Sequence, residues 1–422
     1  MIFAERLRSF PRRSFISIAS AIVFAVVGLT VITPSAFTDT DGWHGHHQRD
    51  RSWIASWAAS PQGPLPTGLS LTGFTDQTLR QIVFTSLGGD VVRVRFTNEF
   101  SDRPLNIGAA QVAIAAPNGA IEAGSERALT FGGQSSITIV PNAHVASDPV
   151  RLQVPATGAL AVDIYLPGST GPVTWHRVGL RTTYISSVGN HVGEPLLPTL
   201  FTTQSYFFLK GVEVRAAKQT GVVVALGDSI TDGQGATPDA DNTYPNHLAR
   251  LLAASHGHLK MAAINQGIAS NRALANNVSG GQNAQARFDR DVLSQPGVTH
   301  VIMLIGLNDT FFTGGMAAAQ VIAGHKQLIL RAHAQGIKVF GGTLTPVRVT
   351  GILEADRQAI NEWIRTSGEY DAVIDFDAAI RDPDNPTIIL PAYNSGDNIH
   401  PNDAGYEAMA RAAYAVLRQD LD

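Results

Sequence analysis

The sequence contains no cysteine, which removes disulfides, thiolate catalysis and cysteine-ligated metals together. With 422 residues, the chain can bury a core large enough to do without covalent staples. Charge is also sparse: charged residues make up 16% of the chain, and the formal net charge is −4. There is no block of lysine and arginine and no interleaving of aromatic with basic residues, which argues against a nucleic-acid binder. What remains is a globular composition, 44% hydrophobic, long enough for two ordinary domains beyond any targeting segment.

The N-terminus reads as an export signal. Arg6, Arg8, Arg12 and Arg13 precede an uncharged, mostly apolar stretch over 15–37 that ends in small residues near Pro34-Ser35-Ala36. Arg12-Arg13-Ser14-Phe15-Ile16 is similar to a twin-arginine signal. Residues 1–36 are therefore assigned as a signal peptide, or as an uncleaved anchor, because the stretch is long enough to span a bilayer. Either way the rest of the chain is expected outside the cytoplasm, with membrane contact only through that segment. Residues 37–52 form a polar linker carrying His44, His46 and His47. With no partner ligand nearby these histidines read as solvated, and neither a metal nor a cofactor is expected.

Residues 53–217 carry short runs of alternating apolar residues separated by turn residues, and strands are predicted over 81–87, 91–96, 105–115, 136–140, 160–166, 173–178 and 206–214. Val92, Val94 and Phe96 share one face while Arg93 and Arg95 share the other, the period-two signature of a half-buried antiparallel strand. Gly88-Gly89-Asp90 between two such runs predicts a hairpin. The expectation is an all-β sandwich of jelly-roll type. Trp53, Trp57, Trp175 and Tyr184 could form a sugar-stacking platform, but aromatic residues of sandwiches more commonly fill the core.

From 218 to 422 the rhythm changes to strand and helix in alternation. Buried strands are predicted over 221–226, 260–265, 300–305, 337–344 and 372–376, and helices over 244–255, 285–293, 317–335, 354–366 and 403–417. That pattern implies a parallel sheet covered by helices on both faces, with functional residues at the C-terminal ends of the strands. The residues found there have chemistry. The first strand runs into Gly227-Asp228-Ser229, whose glycine lets the chain turn while leaving a hydroxyl exposed. The second runs into the polar loop from Asn265 to Arg272, and the third into Gly306-Leu307-Asn308-Asp309. Asp397-Asn398-Ile399-His400 precedes the last helix.

A serine at neutral pH needs a base and an oxyanion site to act as a nucleophile. Asp397, three positions before His400, can bring its carboxylate onto one imidazole nitrogen and leave the other to take the proton of Ser229. Asn308 can offer a side-chain amide to a developing oxyanion, joined by backbone N–H groups of Ser229 and of the 265–272 loop. The competing histidines, His256, His258, His300, His325 and His333, fall in or beside helices or at strand entry, away from that edge.

These segments, in this order, resemble the SGNH or GDSL family of serine esterases and lipases. The resemblance runs from about Gly221 to the C-terminus and implies a three-layer α/β/α, flavodoxin-like SGNH hydrolase domain. Carried across, Ser229 is the nucleophile, His400 the base and then the acid, Asp397 its orienting carboxylate, and Asn308 an oxyanion donor. The family's oxyanion glycine falls on Ser270 here, with Gly267 earlier in the loop, so the backbone donor is either of the two. The Trp-Ala-Ser-rich start at Trp53 and the β-rich region ahead of the hydrolase look like a two-domain branch grouped with acetylxylan esterases. The resemblance implies a secreted carboxylesterase acting on small esters or acylated polysaccharide. The alternatives are a lipase or phospholipid acylhydrolase, and a glycan-binding protein whose hydrolase region is vestigial.

Overall fold

The five-stranded parallel sheet has the order Met261–Gly267, Gly221–Gly227, Val298–Leu304, Lys338–Gly342, Ala372–Ile374. In chain order this is 2-1-3-4-5, the flavodoxin-like order, whose connections change direction beside the first strand. Every residue of Gly221–Gly227 is buried, because helices cover both faces of the sheet. Tyr244–Ala254 packs against the last helix, Asp403–Leu421, while Ala318–His333 packs against Ile352–Thr366. The change of direction places these two groups on opposite faces and opens a crevice at the C-terminal end of Gly221–Gly227. In this computed structural model, the described residues are 51–255, 260–311, 315–348 and 352–421. The export-signal reading and His44, His46 and His47 lie outside them, as do His256 and His258.

Glycine at the end of the central strand is dictated by close approach. A Cβ on Gly227 would stand 2.0 Å from Thr231 Oγ1 and 2.5 Å from the Leu304 carbonyl oxygen, so only glycine lets the next helical turn fold back on the strand.

The region ahead of this sheet is strand-rich and antiparallel. One sheet contains Arg51–Ala58, Leu209–Ala217, Gly89–Thr97 and His144–Ala146, with Val150–Val154 also on Gly89–Thr97. The other runs Thr199–Thr203, Thr183–Val188, Gln77–Thr85, Gly158–Leu166, Ala109–Ile114, Arg127–Leu129. Their inner faces share one core: Val92, Val94, Phe96, Val212 and Val214 from the first meet Leu79, Val83, Leu160, Val162 and Ile164 from the second. This is a sandwich. Arg93 and Arg95 do point away from that core, and both pair with Glu213, at 2.5 Å and 3.3 Å.

The predicted hairpin at Gly88-Gly89-Asp90 is corrected by the pairing. Gln77–Thr85 pairs with Gly158–Leu166 and Thr183–Val188, whereas Gly89–Thr97 pairs with Leu209–Ala217. The turn therefore carries the chain from one sheet to the other. Consecutive strands with inward apolar faces can satisfy the same core from opposite sides, and a turn signal alone does not separate that from pairing. Of the aromatic residues, Trp57 meets Tyr206 edge-on and Trp175 stacks on Phe207, which is core packing. Trp53 lies instead beneath the guanidinium groups of Arg93 and Arg215.

The sandwich and the parallel sheet lie within one compact unit. Ile54, Ala55, Ala58 and Phe84, all on sandwich strands, are buried in the same cluster as Val222, Val224 and Leu226. Among the described residues, no helix is long and apolar enough to cross a membrane.

Candidate active site

Directly after Gly227 the chain makes a one-turn helix, Ser229–Asp232. Asp228 caps it, its Oδ1 accepting the Ile230 N–H at 3.1 Å, and Gly233 ends it in the left-handed conformation at φ 109°. Ser229 thus sits at the first position of a helix, where the backbone N–H has no partner within the helix. Burial pushes the Asp228 carboxyl up to about 7, with the Ile230 N–H opposing and the nearby Asp309 and Asp232 adding to the shift. Between about pH 4 and pH 7 the folded protein therefore holds a proton that the unfolded chain releases, and stability falls as pH rises through that window. Asp228→Asn keeps a capping oxygen and removes this cost, which is about 4 kcal/mol at about 1.4 kcal/mol per pH unit. The variant should melt above wild type at pH 8, with the gap closing by pH 4. A gap independent of pH in thermal melts would contradict it.

His400 Nε2 lies 2.8 Å from Ser229 Oγ. On the other side of the ring, Nδ1 lies 2.5 Å from Asp397 Oδ2. The turn that carries this pair is built by the same carboxylate: Asp397 Oδ1 accepts the N–H groups of Ile399 at 2.9 Å and His400 at 2.8 Å. Asn394 Oδ1 accepts from Gly396 and Asn398, which locks the preceding residues. Burial opposes ionisation of Asp397, but the His400 ring and the two backbone donors win and hold its carboxyl down to about 2. An ionised Asp397 fixes the proton on Nδ1 and leaves Nε2 free to accept from Ser229.

Asn308 and Asp309 tie the third strand to the loop after the second. Asn308 Nδ2 donates to the Asn271 carbonyl oxygen at 2.9 Å, leaving its other amide hydrogen for a ligand. The Asp309 carboxylate accepts from Ala273 N at 2.6 Å and Leu274 N at 3.0 Å. Ser270 stands in that loop with φ 67°, the left-handed region that favours glycine and that a serine can enter at modest cost. Its carbonyl oxygen accepts from Asn277 Nδ2 at 2.8 Å. Neither Ser229 N–H nor Ser270 N–H has an acceptor among the described residues.

Gly267 is placed otherwise. It is the last residue of the strand Met261–Gly267, opposite Gly227, and its N–H donates to Asn265 Oδ1 at 2.8 Å. Its missing side chain admits Asp232, whose N would lie 2.2 Å from a Cβ there. Of the two candidate backbone donors, Ser270 is the one with a free N–H. Loss of a donor at an oxyanion site costs about 10²–10³ in rate, so Asn308→Ala should lower kcat by that factor with KM little changed in steady-state assays.

Three of the histidines weighed as competing bases, His300, His325 and His333, have structural partners. His325 Nε2 is 3.0 Å from the Ile305 carbonyl oxygen and Nδ1 is 2.7 Å from the Tyr370 hydroxyl, and burial pushes the ring down to about 4. His300 pairs with Asp420, and His333 with Asp371. Two residues were not legible as site residues in the sequence. Arg287, fully buried, donates to the carbonyl oxygens of Gly227 and Gln266, to Asn271 Oδ1 and to Ser60 Oγ, so one guanidinium gathers both strand ends and the loop. His176 comes from the β-rich region, on the short strand Trp175–His176 that pairs with Tyr206–Phe207, and pairs with Asp232. No sequence motif marks either; only their depth in the fold does. Among the described residues no group of three acidic or histidine side chains is placed to hold a metal.

A serine, histidine and aspartate in hydrogen-bond series at a strand end define a serine hydrolase of the acyl-transfer kind. Residues 225–408 match the GDSL-like Lipase/Acylhydrolase family, so the parallel-sheet region is a domain of that family and the protein an ester-hydrolysing enzyme. Solved structures with similarity include the aryl esterase of M. smegmatis, at 15% identity over 48% of this chain and 100% of that one, TM-score 0.38. A GDSL-like lipase from Bacteroides thetaiotaomicron VPI-5482 has 18% identity over 49% of this chain and 90% of its own, TM-score 0.36. An alpha/beta hydrolase enzyme from the metagenome of Lake Arreo, Spain, has 22% identity over 46% and 94%, TM-score 0.36. No curated protein matches the chain.

Proposed function

We propose that the protein is an exported serine carboxylesterase that removes short acyl groups through an acyl-enzyme, with acetyl groups on polysaccharides such as xylan as its substrate class. The observation that carries the reading is the unbroken series from Ser229 Oγ through the His400 ring to Asp397, at 2.8 Å and 2.5 Å. Ser229 Oγ attacks the ester carbonyl as His400 Nε2 takes its proton. The oxyanion is met by Asn308 and by the N–H groups of Ser229 and Ser270. Collapse expels the alcohol, which receives the proton from His400, and a water activated by the same nitrogen releases the acid.

The short-acyl preference is supported by the absence of a long apolar lid segment in the sequence. The polysaccharide class is supported by the β-rich region ahead of the hydrolase and its Trp-Ala-Ser-rich start, and export by the N-terminal arginines and apolar stretch. The test is hydrolysis of p-nitrophenyl esters from acetate to palmitate, beside acetate release from acetylated xylan, with Ser229→Ala as control. A short-chain optimum with Ser229-dependent acetate release is expected. A long-chain optimum that rises at a lipid interface would replace the reading with a lipase. Binding of insoluble xylan without Ser229-dependent turnover would replace it with a glycan-binding protein.

A further inference from the structure

Each ring nitrogen of His176 faces an oxygen. Nδ1 lies 2.9 Å from the Ser60 carbonyl oxygen and Nε2 lies 3.0 Å from Asp232 Oδ1. A carbonyl oxygen can only accept, so Nδ1 carries a proton, and a carboxylate at Nε2 calls for a second. Burial works against the charged ring, but the Asp232 charge and its hydrogen bond outweigh it and raise the His176 pKa. The pair is enclosed, with side-chain exposures of 6% and 3%.

The other oxygen of Asp232 is also used. Oδ2 accepts the Ala269 N–H at 2.7 Å. On the far side of the same residue, Arg177 Nη2 lies 3.5 Å from the Ala269 carbonyl oxygen. That carbonyl belongs to the peptide whose N–H is Ser270's, the backbone oxyanion donor of the function proposed above. Adjacent residues of the β-rich region therefore hold both sides of Ala269, one through Asp232 and one directly. Arg177 N is itself fixed by Gln62 Oε1 at 3.1 Å, and Gln62 Nε2 reaches the Ser279 carbonyl oxygen at 2.9 Å. A cation beside a peptide carbonyl also polarises the unit and strengthens its N–H as a donor.

We propose that His176 and Arg177 are positioning residues for the oxyanion loop, so that the β-rich region completes the hydrolase site by setting the orientation of the Ala269–Ser270 peptide. Neither touches the reacting atoms; both act through that peptide. The inference rests on the serine-esterase reading and on Ser270 as a donor.

The test uses the full chain, with Ser229-dependent hydrolysis of p-nitrophenyl acetate by wild type as the control; failure there sinks the esterase reading itself. Given that control, His176→Phe and Arg177→Met are assayed alone and combined with Asn308→Ala, with thermal melts alongside. Misplacement of a catalytic group by about 1 Å costs about 10²-fold, so kcat should fall about 10- to 100-fold for His176→Phe and about 3- to 10-fold for Arg177→Met, with KM within about 2-fold. Each double variant should lose less than the product of its single losses, because both changes damage one oxyanion site. His176→Gln, which keeps one donor for Asp232, should recover part of the loss. If folded variants keep kcat within about 2-fold of wild type, or if losses multiply with that of Asn308→Ala, the positioning role is overturned. Should His176→Phe fail to fold, Arg177→Met, at a half-buried site, decides alone.

Discussion

Ser229→Ala is expected to lower kcat for ester hydrolysis by about 10⁶-fold while leaving the melting temperature within a few degrees of wild type. The hydroxyl is the only group removed, and its one described hydrogen-bond partner is His400 Nε2. The helix that begins at Ser229 is capped by Asp228, not by the serine, and alanine is a better helix former. The void left by one oxygen at a site only 8% exposed is small. Residual hydrolysis should survive from Asn308 and the backbone donors, since an oxyanion site alone gives about 10³-fold over water. Combining the change with His400→Ala should cost almost nothing further, because a base without its nucleophile has no proton to move. Wild-type turnover by the purified single variant would remove Ser229 from the mechanism.

The parallel sheet was readable because its signals are local. Val222 to Leu226 is a continuous apolar run, and the helices carry strong 3.6-residue periodicity; the observed Tyr244–Ala254 and Ala318–His333 differ from the expected spans only at their ends. The predicted helix over 285–293 is the exception. It begins as α-helix at Ala284–Phe288 and passes into a π-helical turn over Asp289–Leu293, where buried Asp291 serves Arg287 and Arg290 at once. Tertiary demand at that point overrides the local period.

The sandwich was less legible. An exposed strand such as Thr199–Thr203 has no buried position to set a period. Strand pairing across the whole region depends on residues far apart in the chain, as with Arg51–Ala58 against Leu209–Ala217.

For the site, motif spacing singled out Ser229, Asn308, Asp397 and His400, because each follows a strand end or precedes a helix, and Ser229, His400 and Asp397 stand in hydrogen-bond series. The loop donors could not be separated in that way. Gly267 and Ser270 both lie in a polar stretch, and only strand register and backbone angle, opposite Gly227 for one and φ 67° for the other, distinguish them. His176 lay outside any expectation because its partner, Asp232, is 56 residues away in sequence.

Asp397→Asn should lower kcat about 10⁴-fold with the fold intact, and the reason lies in which atoms of the carboxylate are already committed. Oδ1 receives two backbone N–H groups, from Ile399 and His400. An asparagine can keep those bonds only with its own oxygen in that position, which turns its NH₂ group towards His400 Nδ1. That nitrogen must then accept, so the ring proton moves to Nε2, and the lone pair that should receive the Ser229 proton disappears. The opposite flip would set NH₂ against two N–H donors, each left without an acceptor. Asp397→Asn is thus driven into the unproductive tautomer by the turn itself. Asp397→Ala frees the ring to choose its tautomer but loses the turn's acceptor, so it should retain more activity per folded molecule and melt lower than Asp397→Asn. Steady-state kinetics and thermal melts of the two variants check both orders, and an asparagine variant more active than the alanine one would mean that the carboxylate does not set the tautomer.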